Sequence, residues 1–126
     1  MNMAVGTQSE DGQIELELQR KGKIAPRVTP QEIEALTDGM TFKTHHFEGT
    51  TSTIAIAVLA NGFVAGIGSS AAISLANFDA EIGAKIAIKD AKHKAIDKLW
   101  ELEGYALRKR LDELKAQVQP PGGDLI

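Results

Sequence analysis

Residues 77–107 read NFDAEIGAKIAIKDAKHKAIDKLWELEGYAL. Apolar residues recur there at intervals of three and four, which is the spacing of one helix face, and Phe78, Ile82 and Ile86 begin the series. Asn77 is a residue type that caps helices, and acidic residues follow it in the first turn. The stretch therefore predicts a long amphipathic helix that starts near Asn77. Its large apolar residues fall near one face: Phe78, Ile82, Ile86, Ile96, Leu99 and Trp100.

The second half of this helix contains a glycine. Gly104 predicts a break or kink, because glycine weakens a helix interior. Beyond it the apolar stripe continues with Leu107, Leu111 and Leu114.

An antiparallel sheet is predicted before the helix. Residues 40–48 and 51–60 are rich in β-branched and aromatic side chains, and Asn61-Gly62 is a strong hairpin signal that leads into a third strand at 63–67. One face of the second strand carries Ile54, Ile56 and Val58. The small residues of 66–76 suggest a flexible linker into the helix, or a segment that a ligand or neighbouring chain approaches closely.

The N-terminal part of the chain contains several short predicted segments. Residues 1–12 are small and polar, so we expect disorder. Apolar residues occupy alternate positions over 13–22, as in a strand, but the charges of this segment favour a short helix. Two prolines stiffen residues 24–30, and a capping signal predicts a helix over 30–37. The fold class is thus α+β, with one domain over 13–118 and a disordered tail over 119–126.

Composition narrows the class of protein. The chain has 126 residues, a formal net charge of −3 and no cysteine. An acidic balance argues against a duplex nucleic acid partner, which requires a concentrated positive face. The sequence shows neither a signal peptide nor an apolar run of membrane-spanning length. We therefore expect a protein of the cytoplasm with no membrane partner.

The residue pattern contains no catalytic motif, such as a phosphate-binding glycine loop or a nucleophile elbow. His45 and His46 are adjacent on a predicted strand and point to opposite faces, while His93 lies among lysines. We therefore expect no enzyme activity, no metal site and no cofactor.

A binding role fits the remaining residues better. Arg27 on the stiff connector, Lys85, Lys89 and Arg108 are suitable phosphate donors. Phe78 and Tyr105 offer rings for base stacking. The alternatives are that the cations belong to solvated faces and that Phe78 belongs to the core.

The chain also resembles a known family. The residues that carry the resemblance include Asn77-Phe78-Asp79, Ile82-Gly83, Lys85-Ile86-Ala87, Asp90-Ala91, Trp100, Glu103-Gly104-Tyr105 and Leu107 of the helix. Before the helix they include Ala25-Pro26-Arg27, Thr29-Pro30, Ile33 and Asn61-Gly62-Phe63. They are similar to small tailed-phage proteins labelled gene product forty-nine or sixty-six, over roughly residues 22–114. Part of that family is the first-described type of anti-Thoeris protein, and the chain departs from its usual pattern at Ala84 and over residues 64–69.

The resemblance implies a sponge that binds cyclic nucleotide immune signals without cleaving them. Its implied partners are the cyclic ADP-ribose variant gcADPR and, as for some members, CBASS cyclic oligonucleotides. They also include further copies of itself, in a dimer or hexamer in the host bacterial cytoplasm. The expected ligand-binding residues are Arg27, Asn77, Phe78, Lys85, Lys89, Tyr105 and Arg108. The alternatives are a protein adaptor that uses the long helix and a single-strand nucleic acid binder.

Overall fold

The fold is α+β, as predicted. A computed structural model describes residues 10–23 and 25–118, and the other positions, which include most of both segments predicted to be disordered, lie outside these residues. Its elements are α1 (Glu10–Arg20), α2 (Pro30–Thr37), β1 (Thr41–His46), β2 (Ser52–Val58), β3 (Val64–Ala71), a 3-10 turn (Leu75–Asn77) and α3 (Ala80–Val118).

The chain divides into two compact units. One unit, Gln31–Trp100, holds the sheet, nearly all of α2 and the first half of α3. The other combines Met1–Pro30 with Glu101–Ile126, and so holds α1 and the second half of α3.

The three strands form an antiparallel meander in the order β1-β2-β3, which confirms the predicted sheet. Gly62 adopts a positive φ of 92° in the β2–β3 turn, a conformation that glycine reaches without strain. β3 continues to Ala71, so the prediction of a linker over 66–76 is wrong for its first half. Gly66 and Gly68 in that half have no side chain because a helix packs directly on them.

The core of the larger unit consists of small side chains. Ala87, Ala91 and Ala95 of α3 are fully buried. They face Gly66 and Gly68 of β3, where an added Cβ atom would lie within 2.6 Å of helix backbone atoms. Close approach of the two backbones thus requires minimal side chains on both elements.

The large apolar residues at the start of α3 do not form this core. Ile82 and Ile86 remain 55% and 53% exposed, whereas Leu99, which was placed near the same face, is 3% exposed. The alanine stripe of α3 takes the position against the sheet instead, because isoleucine would hold the helix too far from the glycines of β3.

Two further details of α3 differ from expectation. Asp79, not Asn77, is the N-cap: its carboxylate accepts a hydrogen bond of 3.0 Å from the Ile82 amide, while Asn77 ends the 3-10 turn. α3 also runs through Gly104 without interruption. One interior glycine costs a helix about 1 kcal/mol, which a helix of 39 residues tolerates.

Candidate functional site

A cavity of about 140 Å³ opens where β3 ends and α3 begins. Its lining belongs entirely to the unit Gln31–Trp100. The strand side contributes Thr51, Ser70, Ala71 and Ala72, and the helix side contributes Asn77, Phe78, Asp79, Ile82, Gly83 and Ile86. Two residues expected to bind ligand, Asn77 and Phe78, therefore meet in one concave site.

Phe78 is held in place by a histidine. The His46 ring stacks on it with centroids 4.5 Å apart and an interplanar angle of 19°. His46 Nε2 lies 2.7 Å from the Thr50 carbonyl oxygen, and because a carbonyl only accepts, Nε2 carries a proton. His45 pairs with Ile54 and His46 with Thr53, which confirms that the two histidines point to opposite faces.

Most polar groups of the cavity already have protein partners. The Thr51 hydroxyl donates to the Ala72 carbonyl at 2.6 Å, and the Ser70 hydroxyl donates to the Gly83 carbonyl at the same distance. Asp79 caps the helix. The side-chain amide of Asn77 makes no hydrogen bond within residues 10–23 and 25–118, so it is available to a ligand.

The charge of the cavity does not favour a phosphate inside it. Asp79 is the one ionisable residue of the lining, and it is acidic. Lys85 and Lys89 are exposed on α3, three residues beyond Ile82 and Ile86, which makes them surface neighbours of the cavity rim. In the part of the chain that the structure describes, neither lysine forms an ion pair.

The remaining candidates lie in the other unit. Arg27 Nε donates to Glu15 Oε1 at 3.1 Å, and its Nη2 donates to the second carboxylate oxygen. Glu15 is only 5% exposed. The Arg27 hydrogen bonds hold the pKa of Glu15 below its usual value, with a second contribution from Gln19, and they raise the pKa of Arg27. A phosphate at Arg27 would therefore have to displace a carboxylate.

Tyr105 and Arg108 are exposed on the second half of α3.

Asp90, on the first half of α3, accepts hydrogen bonds from the Ser69 amide and from Lys94 at 3.0 Å each. These bonds, the Ser69 bond first, lower the pKa of Asp90. The contact with Lys94 is the intrahelical ion pair expected from their spacing of four residues.

Three features of the cavity and its surroundings were not predicted from the sequence. Asp79 was predicted only to favour the helix dipole. Asp is also a frequent N-cap residue, and here its carboxylate accepts from the Ile82 amide three positions on. The stacking of His46 on Phe78 depends on the strand register and has no local sequence signal. Gly83 was recognised only as part of the family pattern.

Residues 28–111 match the model of the Phage protein (N4 Gp49/phage Sf6 gene 66) family. The chain belongs to this family. The match confirms the predicted resemblance to phage gene products forty-nine and sixty-six and includes the whole cavity lining. The matched range does not include α1 or the Glu15–Arg27 pair. Neither the curated proteins nor the solved structures contain a match to this chain.

Among residues 10–23 and 25–118, no group of three or more metal-ligating side chains is placed to hold an ion. Over the same ranges no helix has the length and apolar character needed to span a bilayer.

Proposed function

We propose that this phage protein sequesters cyclic nucleotide immune signals in the host cytoplasm and does not cleave them. The observation that carries the proposal is the cavity at the start of α3, where Asn77 and Phe78 meet. Both residues lie at the start of the long helix, where a ligand was expected, and Phe78 offers a ring for stacking. The family itself is wider than the anti-Thoeris branch.

The cavity suits the neutral part of such a ligand. Phe78 presents an aromatic ring, Ile82 and Ile86 provide apolar contact, and the Asn77 amide offers a donor and an acceptor. Asp79 occupies the helix N-terminus with its own carboxylate, so a phosphate gains little there. We therefore place the base or ribose inside the cavity.

The phosphates then lie outside, along α3. Lys85 and Lys89 flank the cavity rim and have no carboxylate partner within the described ranges. Ammonium groups attract phosphate as point charges. Capture of a signal at submicromolar concentration requires a binding free energy of roughly −9 kcal/mol or better, so both parts of the ligand must contribute.

We propose that a second copy of the chain binds to the C-terminal half of α3. Gly104, Leu107, Leu111 and Leu114 follow the alternating three- and four-residue spacing of a coiled-coil seam, and Leu114 is 50% exposed. Glu101 and Lys115 flank the seam two heptads apart.

In an antiparallel pair, Glu101 of one copy lies opposite Lys115 of the other, which gives two attractive contacts per dimer. Arg108 lies midway between them and faces its own counterpart, so this like-charge contact opposes the pairing. Two attractive contacts against one like-charge contact favour the antiparallel dimer on balance. The same seam supports the alternative function, an adaptor that binds another protein through this helix.

Binding and release measurements test the proposed function. The protein is titrated with gcADPR and with a cyclic trinucleotide in a calorimeter, and the complex is then heat-denatured and its ligand analysed by chromatography. We expect saturable binding and recovery of intact ligand. Recovery of a hydrolysed product indicates an enzyme.

Thermal shift separates the sponge from the adaptor. A ligand at a hundredfold excess over its Kd stabilises the fold by about 2.7 kcal/mol. If neither gcADPR nor the cyclic trinucleotide raises the Tm, the sponge proposal is contradicted and the adaptor becomes the better explanation.

A further inference from the structure

The sheet has two edge strands, and they are protected differently. At the β3 edge, the Ser69 amide donates a hydrogen bond of 3.0 Å to the Asp90 carboxylate of α3. The β2–β3 ladder also has an irregularity between Ala57 and Val58. β1, at the other edge, pairs with β2 in an unbroken register over Thr41–His46. A regular edge that nothing covers readily accepts another strand, so β1 is the more open of the two.

The outer side of β1 presents unpaired backbone groups. At the end of the β1–β2 ladder, the Phe47 amide donates to the Ser52 carbonyl at 3.3 Å. Because backbone groups of an antiparallel strand point alternately to either side, the N–H and C=O groups of Phe42, Thr44 and His46 point away from β2. Within residues 10–23 and 25–118, no other strand pairs with them. Thr44 is exposed, which leaves room for a strand beside it.

We propose that this edge pairs antiparallel with β1 of a second copy of the chain, with Thr44 opposite Thr44. In this register, Phe42 of each copy lies opposite His46 of the other. Each outward residue then faces an outward residue, and each such pair exchanges two backbone hydrogen bonds. The pairing joins the sheets of the two copies into one continuous sheet.

The side chains of β1 are complementary to themselves in this register. Thr44 meets its own copy, Phe42 meets a histidine ring, and Thr41 lies opposite Phe47. Threonine pairs, aromatic pairs and pairs of an aromatic with a β-branched residue are the cross-strand contacts that stabilise antiparallel sheets. The order of residues in β1 therefore suits a second β1 strand.

Lys43 favours this register over its neighbours. In the proposed pairing, Lys43 lies opposite His45 of the other copy. A register centred on Lys43 places the two lysines opposite each other, which destabilises the pair, and moves His46 beyond the end of the other β1 strand. A register centred on His45 moves Phe42 beyond the opposite end. The register centred on Thr44 thus pairs the most outward groups without opposing like charges.

The pairing also reaches the candidate site. Phe42 and His46 lie opposite Ala57 and Thr53 of β2, whose side chains are buried, so both rings are on the helix side of the sheet. Phe42 of the second copy therefore lies beside His46, the ring that stacks on Phe78 of the cavity. The contact is short and hence weak by itself. It adds to the seam on α3 and does not replace it.

Disulfide trapping tests the register, because the chain has no cysteine. Thr44→Cys places two thiols on directly opposed residues, whose Cα atoms are about 5.5 Å apart in a hydrogen-bonded pair, within the range of a disulfide. Thr41→Cys is the matched control, since Thr41 is also exposed on β1. Its two copies lie six residues out of register, roughly 20 Å apart.

Both cysteine variants carry Leu114→Glu, so that the seam on α3 contributes nothing. Under the same oxidant, we expect Thr44→Cys to form a disulfide-linked dimer at least about tenfold faster than Thr41→Cys, because the control thiols are out of reach. Equal rates for the two variants, or no dimer from either, overturn the inference.

Hydrogen exchange tests the pairing without any cysteine. In the wild-type protein, the amides of Phe42, Thr44 and His46 should exchange more slowly as the protein concentration is raised, because the second strand protects them. Thr44→Pro removes an outward N–H and leaves the bonds to β2 intact, so exchange at Phe42 and His46 should no longer depend on concentration. Neither experiment uses a nucleotide, so failure of the sponge proposal leaves this inference standing. Exchange that is independent of concentration in the wild-type protein shows that the edge does not pair.

Discussion

Gly68 of β3 lies against the backbone of Ala91 in α3, so close that a Cβ atom on Gly68 would come within 2.2 Å of the Ala91 nitrogen. Ala55, the partner of Gly68 on β2, is fully buried beneath the same helix. The contact fixes the height of α3 above the sheet. It thereby sets the distance between the two walls of the cavity at the start of the helix.

Substitution of Gly68 by alanine should therefore be severe. The methyl group meets helix backbone, which cannot rotate away, and we expect a loss of about 3 kcal/mol or more in the free energy of unfolding. Gly104→Ala is the matched control, because a Cβ there meets nothing within 4 Å. Helix propensity predicts that it stabilises the protein by about 1 kcal/mol. Urea denaturation of both variants measures the difference, and equal effects would contradict the packing.

The sequence predicted the elements of this fold well and its packing poorly. The capping signal and prolines defined α2 at the correct residues, and Asn61-Gly62 defined the β2–β3 hairpin. These signals are local, because a cap or a turn involves only a few neighbouring residues. Packing is not local: the alanine stripe of α3 appears moderately apolar in sequence, and only the glycines of β3 make it the core face.

The candidate site shows the same limit. Asn77 and Phe78 were expected near a ligand because they stand at the start of the long helix and Phe78 offers a ring, and the structure places both in the cavity lining. The engagement of Arg27 by Glu15 was not predictable, because the two residues are twelve positions apart and meet only through the fold. Glu15 also appeared to be one more charge on a polar helix, yet it is buried.

The Glu15–Arg27 pair predicts a pH dependence of stability. The folded-state pKa of Glu15 lies below its ordinary value of 4.5, so the ionised carboxylate stabilises the folded state at neutral pH. This contribution is complete above the unfolded pKa and is lost as the pH falls from about 4.5 through the lower folded value. We expect Glu15→Gln to lower Tm at pH 7 and to converge towards wild type near pH 2.

Glu17→Gln provides the control for this experiment. Glu17 pairs with Lys21 on the exposed face of α1, where an ion pair contributes little. Its Tm should follow the wild-type protein over the whole pH range. A constant difference between Glu15→Gln and wild type from pH 7 to pH 2 would show that the pair does not titrate as described.

Asp79 should act on stability and on ligand affinity in opposite ways. Asp79→Ala removes the cap of α3 and should cost about 1 kcal/mol of stability. Asp79→Asn retains a good cap but removes the negative charge from the cavity, so we expect unchanged stability and about twofold to fivefold tighter binding of gcADPR. Calorimetry at low salt measures the affinity. Weaker binding by Asp79→Asn would indicate that the carboxylate itself contacts the ligand.

The placement of the ligand can be tested with single substitutions. Phe78→Ala removes the ring that lines the cavity, and we expect it to weaken gcADPR binding about tenfold, as for loss of one stacked base. Lys89→Ala should weaken binding less and make it less dependent on salt, because it removes one phosphate contact. Arg27→Ala should leave affinity unchanged, since Arg27 is bound to Glu15. A large loss with Arg27→Ala and none with Phe78→Ala would move the site away from the cavity.

Pairing through the second half of α3 can be tested without any ligand. Leu114 is half-exposed in the seam, so Leu114→Glu should leave the monomer folded and place a charge in the paired interface. Analytical ultracentrifugation should then show a dimer or larger assembly for the wild-type protein and a monomer for the variant. Ala116→Glu adds the same charge at an exposed position away from the seam and should keep the wild-type mass. If Leu114→Glu assembles like the wild type, the copies meet through another surface, and the seam is left for a different protein partner.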